Sequence, residues 1–259
     1  MPNQTRNSSK TFLFLALALL LWPAASPAKE LKVVFSAYTP PFVLTETHRG
    51  IVIDIVTEAL AYKGYQVKPY FESIGRSFEL FSQKQVDATT IIQESSKLKA
   101  FYSADFMHYH NVAISLKSKG YQISQFADFK DLDLIAFQNA HIYLGPEFAA
   151  AVAGNPHYKE IANQEQQVLM LLSNRTNLAV MDRYIFTYYR GKLINEGKAT
   201  PEQVPQLHEL FKPTPYKAAF VDAQVRDDFN SGLEQLKKSG RYDQIYREYS
   251  QQYFHIKQR

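Results

Sequence analysis

Between Leu31 and Ile92 the sequence alternates between short strand-like segments and amphipathic helical segments. Leu31–Ala37, Gln66–Glu72 and Asp87–Ile92 have the composition of strands, and the apolar residues between them recur at helical spacing. The short connections between these segments are typical of β-α-β units, in which the strands pair in parallel and helices cover the sheet. The sequence therefore predicts the α/β class, beginning with a parallel sheet flanked by helices.

The segment Phe71–Asp87 predicts a strand end, a loop and a helix. Ser73 suits the N-cap, because its hydroxyl can accept a hydrogen bond from a backbone N–H of the first turn. Arg76 lies in the first turn, where a cation is unfavourable for the helix dipole. Its guanidinium could hold a carboxylate through two parallel hydrogen bonds, and the alternative is a solvated surface arginine. Three residues at helical spacing are expected to face a core: Ile74, Phe78 and Phe81.

The N-terminus has the three-part pattern of a secretory signal peptide over residues 1–28. Arg6 and Lys10 precede the apolar run Phe12–Leu21, and small residues follow. We expect cleavage after Ala28 and a periplasmic location, with an uncleaved N-terminal anchor as the alternative. The absence of cysteine excludes disulfides and a cysteine-linked lipid anchor. The formal net charge of +4 comes without a basic cluster, so nucleic acid is not an expected partner.

A second α/β unit follows a strand predicted over Met107–Leu116, with further strands over 133–137 and 178–181. After Pro215 a strand (Tyr216–Val221) and two helices remain without a sheet of their own, so we expect them to join the first sheet. The chain then crosses between two lobes near Ser118 and over Phe211–Pro213. This predicts lobe 1 over residues 29–117 and 213–259 and lobe 2 over 118–212, with a ligand cleft between them.

Six stretches occur in a recognisable order: YTPPF, GIVIDIVTEALAYKGY, KQVDATTI, FYSADF, FADFKDLDLIAFQNA and RYDQIYREY. Together they resemble the bacterial extracellular solute-binding proteins of family 3, the polar amino-acid-binding group of ABC importers. The resemblance implies a two-lobed periplasmic-binding-protein fold, in which each lobe is a mainly parallel sheet flanked by helices and a two-crossing hinge joins them. It also implies a small polar solute, an ABC permease in the inner membrane, a monomer, no cofactor and no enzymatic activity.

The resemblance also places candidate ligand-binding residues in the first lobe. In amino-acid-binding members a T-x-E-R motif precedes the F-S segment, and its arginine grips the ligand's α-carboxylate. Here the region reads QESSKLKAFYS, with Ser96 at the arginine position and Lys97 beside it. We therefore expect Arg76 to take over the anchoring role. Tyr38 and Phe42 match a loop whose aromatic face covers the ligand, with routine packing as the alternative.

In the second lobe NRTNLAVMDRY resembles the family's G-x-x-D-A-V-x-x-D strand end. The closing aspartate of that pattern binds the substrate ammonium and corresponds to Asp182, for which helix capping is the alternative and both roles can coexist. The family's G-T loop, which meets the ligand carboxylate, corresponds to Gln138, Asn139, Ala140 and His141. An ordinary loop between a strand and a helix is the alternative for these four residues.

The sequence also bears on three other functions: a metal site, a ligand-binding sensor module and an enzyme. His108 and His110 form an H-x-H pair, but zinc needs further ligands that no cluster supplies, so no metal site is expected. The fold also occurs in ligand-binding sensor modules and in a few lyase or dehydratase-like enzymes, and fold alone does not fix function. An enzyme would turn over its ligand, whereas a sensor would differ from a transport protein only in its partner.

Overall fold

Two mixed β-sheets organise the computed structural model, which describes residues 29–37 and 39–254. The predicted signal peptide and Tyr38 lie outside the described residues. The strands are β1 (Lys29–Ser36), β2 (Tyr65–Glu72), β3 (Ala88–Ile92), β4 (Phe101–Tyr102), β5 (Met107–Tyr109), β6 (Asn111–Leu116), β7 (Leu134–Phe137), β8 (Tyr158–Ile161), β9 (Leu178–Asp182), β10 (Pro205–His208) and β11 (Thr214–Phe220). The helices are α1 (Ile51–Ala61), α2 (Ile74–Ser82), α3 (Ala140–Tyr143), α4 (Pro146–Ala153), α5 (Gln164–Leu172), α6 (Arg183–Asn195), α7 (Ala223–Lys238) and α8 (Arg241–Phe254).

The first sheet has the strand order β2-β1-β3-β11-β4, with β5 also paired to β11. β1 is parallel to both β2 and β3, so the predicted β-α-β-α-β unit is confirmed. β11 runs antiparallel to β3, which confirms that the C-terminal strand returns to the first sheet. The α/β fold is therefore confirmed, with parallel pairing in the N-terminal unit and antiparallel pairing where the chain returns.

The second sheet has the order β10-β6-β9-β7-β8. β7 is parallel to β8 and β9, whereas β6 is antiparallel to β9 and β10. The prediction of a single strand over Met107–Leu116 is wrong, because β5 belongs to the first sheet and β6 to the second. The chain thus changes sheet at His110 rather than near Ser118, and it returns between β10 and β11.

The C-terminal helix is tied to the first lobe through Tyr249 on α8. The Tyr249 hydroxyl donates to Asp54 of α1 at 2.7 Å and accepts from the Gly50 N–H at 2.8 Å. Arg49 pairs with both oxygens of the same Asp54 carboxylate at 2.8 Å. These contacts join residues from the two ends of the described chain. Within the described ranges, no helix combines the length and apolar character needed to cross a membrane.

Candidate functional site

A cavity of about 440 Å³ lies between the two sheets and takes side chains from both lobes. Strands β1 and β3 and helix α2 contribute from the first lobe, and β7, β9, α3 and α6 contribute from the second. Tyr109 of β5 and Tyr216 of β11 line it close to the chain crossings, with ring centroids 5.1 Å apart. The volume falls within the range of small-molecule sites, so this cavity is the candidate functional site.

Asp182 lines the cavity at the end of β9 and caps helix α6. Its carboxylate is buried and accepts three backbone hydrogen bonds: from His110 at 2.7 Å, Tyr184 at 2.8 Å and Ile185 at 3.2 Å. Burial raises the pKa of Asp182 to about 7, although these N–H donors and Arg183 act in the opposite direction. Asp182 therefore caps helix α6 and also lies where it can contact a ligand in the cavity.

The aromatic residue predicted beside the ligand lies behind the cavity wall. Phe42 is fully buried, and its ring makes edge-on contacts with Tyr109 at 4.8 Å and with Tyr184 at 6.0 Å. It is not among the cavity-lining residues, whereas Tyr109 is. The Tyr109 hydroxyl is buried beside Thr39, and burial raises its pKa well above the ordinary value. Phe42 thus supports the tyrosine that faces the cavity.

Of the four residues predicted in the G-T loop, only Gln138 lines the cavity. Asn139 adopts a left-handed conformation (φ 64°) and precedes helix α3, so Ala140 and His141 begin a helix and do not form a loop. The backbone N–H groups of Asn139 and His141 donate to the Glu160 carboxylate at 2.8 and 3.0 Å. The donors expected to receive a ligand carboxylate therefore already hold an internal one.

Glu160 of β8 is a feature that sequence reasoning missed. Its carboxylate also accepts from the Tyr158 hydroxyl at 2.5 Å and lies 2.7 Å from His141 Nδ1. Burial alone would raise the pKa of Glu160, but the hydrogen bonds from Tyr158, His141 and Asn139 outweigh it and lower the pKa. Glu160 is therefore an ionised carboxylate at neutral pH.

Arg76 does not line the cavity, although its neighbours Ile74 and Phe78 do. Its guanidinium is exposed and donates to Glu79 at 2.6 Å on the same helix. Ser96, at the position of the family's arginine, does line the cavity, and its hydroxyl lies 3.2 Å from the Tyr102 hydroxyl. The structure brings Asp182, Gln138 and Ser96 to one cavity but leaves Arg76 outside it.

Several apolar lining residues were missed or assigned elsewhere. Of the three residues of α2 predicted to face a core, Phe81 is buried and Phe78 packs half-buried against the same apolar cluster, whereas Ile74 is 42% exposed. Ile74 and Phe78 both line the cavity. Apolar and aromatic lining residues that the sequence did not identify come from six elements: Ile91, Ile92, Tyr109, Phe137, Ile142, Tyr143, Ile185 and Tyr216.

A metal centre has no support in the part of the chain that the structure describes. No group of three or more His, Asp or Glu side chains there is arranged to hold an ion. His108 lies on β5 and is exposed, and His110 lies at the change of sheet.

Comparisons with known proteins agree with the architecture. A family model described as bacterial extracellular solute-binding proteins, family 3, matches residues 31–252. No curated protein gives a significant match. An ancestral arginine-binding protein bound to arginine is similar at 20% identity and a TM-score of 0.67, over 86% of this chain and 99% of that one.

Two further solved structures show the same fold. The arginine-, lysine-, histidine-binding protein ArtJ from Geobacillus stearothermophilus is 18% identical with a TM-score of 0.64, over 85% of this chain and 95% of that one. A histidine kinase sensor domain with similarity to periplasmic binding proteins is 13% identical with a TM-score of 0.67, over 86% and 96% of the two chains.

Proposed function

Because the chain belongs to the bacterial extracellular solute-binding proteins, family 3, we propose that it binds one small polar solute between its lobes in the periplasm. We further propose that it delivers this solute to an ABC importer in the inner membrane. The observation that carries the binding function is the cavity lined by both lobes. A solute that contacts both lobes favours their closed arrangement, and a membrane partner can recognise the closed form.

Polar lining groups give the solute its orientation. Asp182 offers a carboxylate from the second lobe, Gln138 an amide from the same lobe, and Ser96 a hydroxyl from the first. Charge-assisted hydrogen bonds to a carboxylate are stronger than those between neutral groups. We therefore assign the main polar contact to Asp182, which receives a hydrogen-bond donor of the solute.

A thermal-shift screen of the purified protein tests this function. The screen covers amino acids, small carboxylates, amines, polyamines and short peptides. A ligand at about 100 times its dissociation constant adds roughly 2.7 kcal/mol to the free energy of unfolding, which corresponds to a shift on the order of 5–10 °C for a chain of this size. A flat screen on protein freed of co-purified ligand would contradict the proposal.

Two follow-up measurements separate the proposed function from its alternatives. Recovery of the bound solute unchanged after prolonged incubation excludes the lyase or dehydratase alternative. Stimulation of an importer's ATPase activity by the loaded protein supports delivery. Stimulation of a receptor kinase instead would assign the chain to a sensor system.

Replacing Arg76 with alanine is expected to leave the affinity for the solute within about twofold of the original value. The reason is that the guanidinium is exposed, pairs with Glu79 and does not line the cavity. Isothermal titration calorimetry on the two proteins measures the effect, and Glu79→Ala serves as the matched control for loss of the pair. A loss of about tenfold or more, confined to Arg76→Ala, would restore Arg76 as the ligand's carboxylate anchor.

A further inference from the structure

The described side chains that line the cavity include a negatively charged group but no positively charged one. Asp182 is the only charged side chain among the described residues that line it. Cationic side chains near its walls pair with carboxylates elsewhere: Arg183 with Glu209, and Lys217 with Asp105 at 3.0 Å. A carboxylate entering this cavity would face Asp182, and no Lys or Arg is among the described lining residues to pair with it. Such an unpaired charge is costly in a partly desolvated site.

The position that would otherwise receive a carboxylate is already filled. The Asn139 and His141 N–H groups bind the ionised Glu160 side chain. A carboxylate that used these N–H groups would have to displace Glu160 and break its hydrogen bond with Tyr158 as well. The second lobe therefore opposes an anion by charge and by the loss of existing hydrogen bonds.

Most of the remaining lining is apolar and comes from both lobes. Ile74 and Phe78 of α2 lie on the first-lobe side, and Ile142 and Tyr143 of α3 lie on the second-lobe side. The side chains of Ile74 and Ile142 are 42% and 65% exposed, which is high for large apolar residues. An apolar group held between them would remove this surface from water, and this burial favours binding.

From these three observations, and resting on the proposed solute-binding function, we propose that the cavity selects an amine with an apolar body and no carboxylate. The ammonium group pairs with the Asp182 carboxylate, and the aromatic or branched aliphatic body packs between α2 and α3. Amino acids are excluded by their α-carboxylate, although they share the amine.

Matched ligand series test this selectivity by isothermal titration calorimetry at pH 7, where the α-amino groups of the amino-acid amides are still largely protonated. The aromatic series comprises 2-phenylethylamine, L-phenylalaninamide, L-phenylalanine and 3-phenylpropionate. The aliphatic series comprises isoamylamine, L-leucinamide, L-leucine and 4-methylpentanoate. In at least one series the carboxylate-free amines are expected to bind about tenfold or more tightly than the amino acid, and the simple acid is expected not to bind.

Replacing Asp182 with asparagine tests the contact itself. Asparagine still caps a helix but removes the charge, so amine affinity is expected to fall by about ten- to a hundredfold. Asp222→Asn is the matched control, because Asp222 caps α7 through the Val225 N–H and does not line the cavity. If Asp182→Asn fails to fold, the ligand series on the unaltered protein still decides the matter.

The outcomes separate this inference from the function on which it rests. Equal or tighter binding of an amino acid or simple acid overturns the amine selectivity and leaves the solute-binding function standing. Lys97→Ala then tests whether that exposed lysine beside Ser96 holds the carboxylate. Failure of both series also overturns the inference, and the function survives only if the broad screen yields another solute. A flat broad screen overturns both.

Discussion

Replacing Gly232 with alanine is expected to lower the free energy of unfolding by about 2–4 kcal/mol. Gly232 lies on the buried face of α7 where that helix packs on α1. A Cβ atom added to Gly232 would lie 1.9 Å from the Ala59 carbonyl oxygen and 2.7 Å from its carbonyl carbon. Both are backbone atoms, so no side-chain rotation relieves the overlap and the helices must move apart.

Gly75→Ala is the matched control, because Gly75 is also helical but has no atom within 4 Å of an added Cβ. Alanine there is expected to be neutral or to stabilise by up to about 1 kcal/mol, since it restricts the unfolded chain and favours the helix. Urea denaturation of the three proteins measures both effects. Equal stability of Gly232→Ala and the parent would show that α1 and α7 separate at little cost.

The first half of the fold was predictable because its signals are local. In Leu31–Ile92 the strands carry β-branched and aromatic residues, the helices have clear apolar spacing, and Ser73 caps α2 as predicted. The break at His110 was not predictable in the same way, because MHYHNVAISL reads as one continuous strand. Its position depends on Asp182 and Arg183: Asp182 accepts the His110 N–H, and the Arg183 N–H donates to the His110 carbonyl. Those contacts are distant in sequence.

In the candidate site, too, residues with a local sequence signal were predictable, and residues placed by contacts distant in sequence were not. The position of Asp182 at a strand end before a helix was visible in the sequence, and the structure places it in the cavity. The partner of Arg76 was also visible, because Glu79 lies at the i+3 position, where a helix brings the two side chains together. Glu160 had no such signal, because it lies on the short strand β8 and reaches Asn139 and His141 only through the parallel pairing of β7 with β8.

The ligand-free protein is expected to lose about 2–3 kcal/mol of stability between about pH 5 and pH 8 through Asp182. Burial raises the pKa of this carboxyl from 3.8 to about 7, so between these values the folded protein binds a proton that the unfolded chain has released. The contribution of Asp182 is therefore complete below about pH 4 and is lost as the pH rises through 7.

Other groups around Asp182 do not remove this dependence. Arg183 stays charged throughout the window, and the neighbouring phenols stay neutral because burial raises their pKa values: Tyr109, Tyr184, Tyr216 and Tyr246. Burial lowers the pKa of His110, and of His208 farther away, so these histidines change stability in the opposite direction. The Asp182 contribution must therefore be measured as a difference between two proteins.

Asp182→Asn provides that difference, since asparagine does not titrate and both proteins keep the histidines. Its amide cannot accept the His110 N–H as the carboxylate does, which adds a constant offset and leaves the slope unaffected. The free energy of unfolding, measured from pH 5 to pH 8, is expected to fall more steeply for the parent than for Asp182→Asn. A bound amine should reduce the parent's excess slope, because pairing with a cation favours the ionised carboxylate and lowers its pKa. Parallel curves for the two ligand-free proteins would mean that Asp182 is already ionised at pH 5, and amine affinity would then not rise between pH 5 and pH 8.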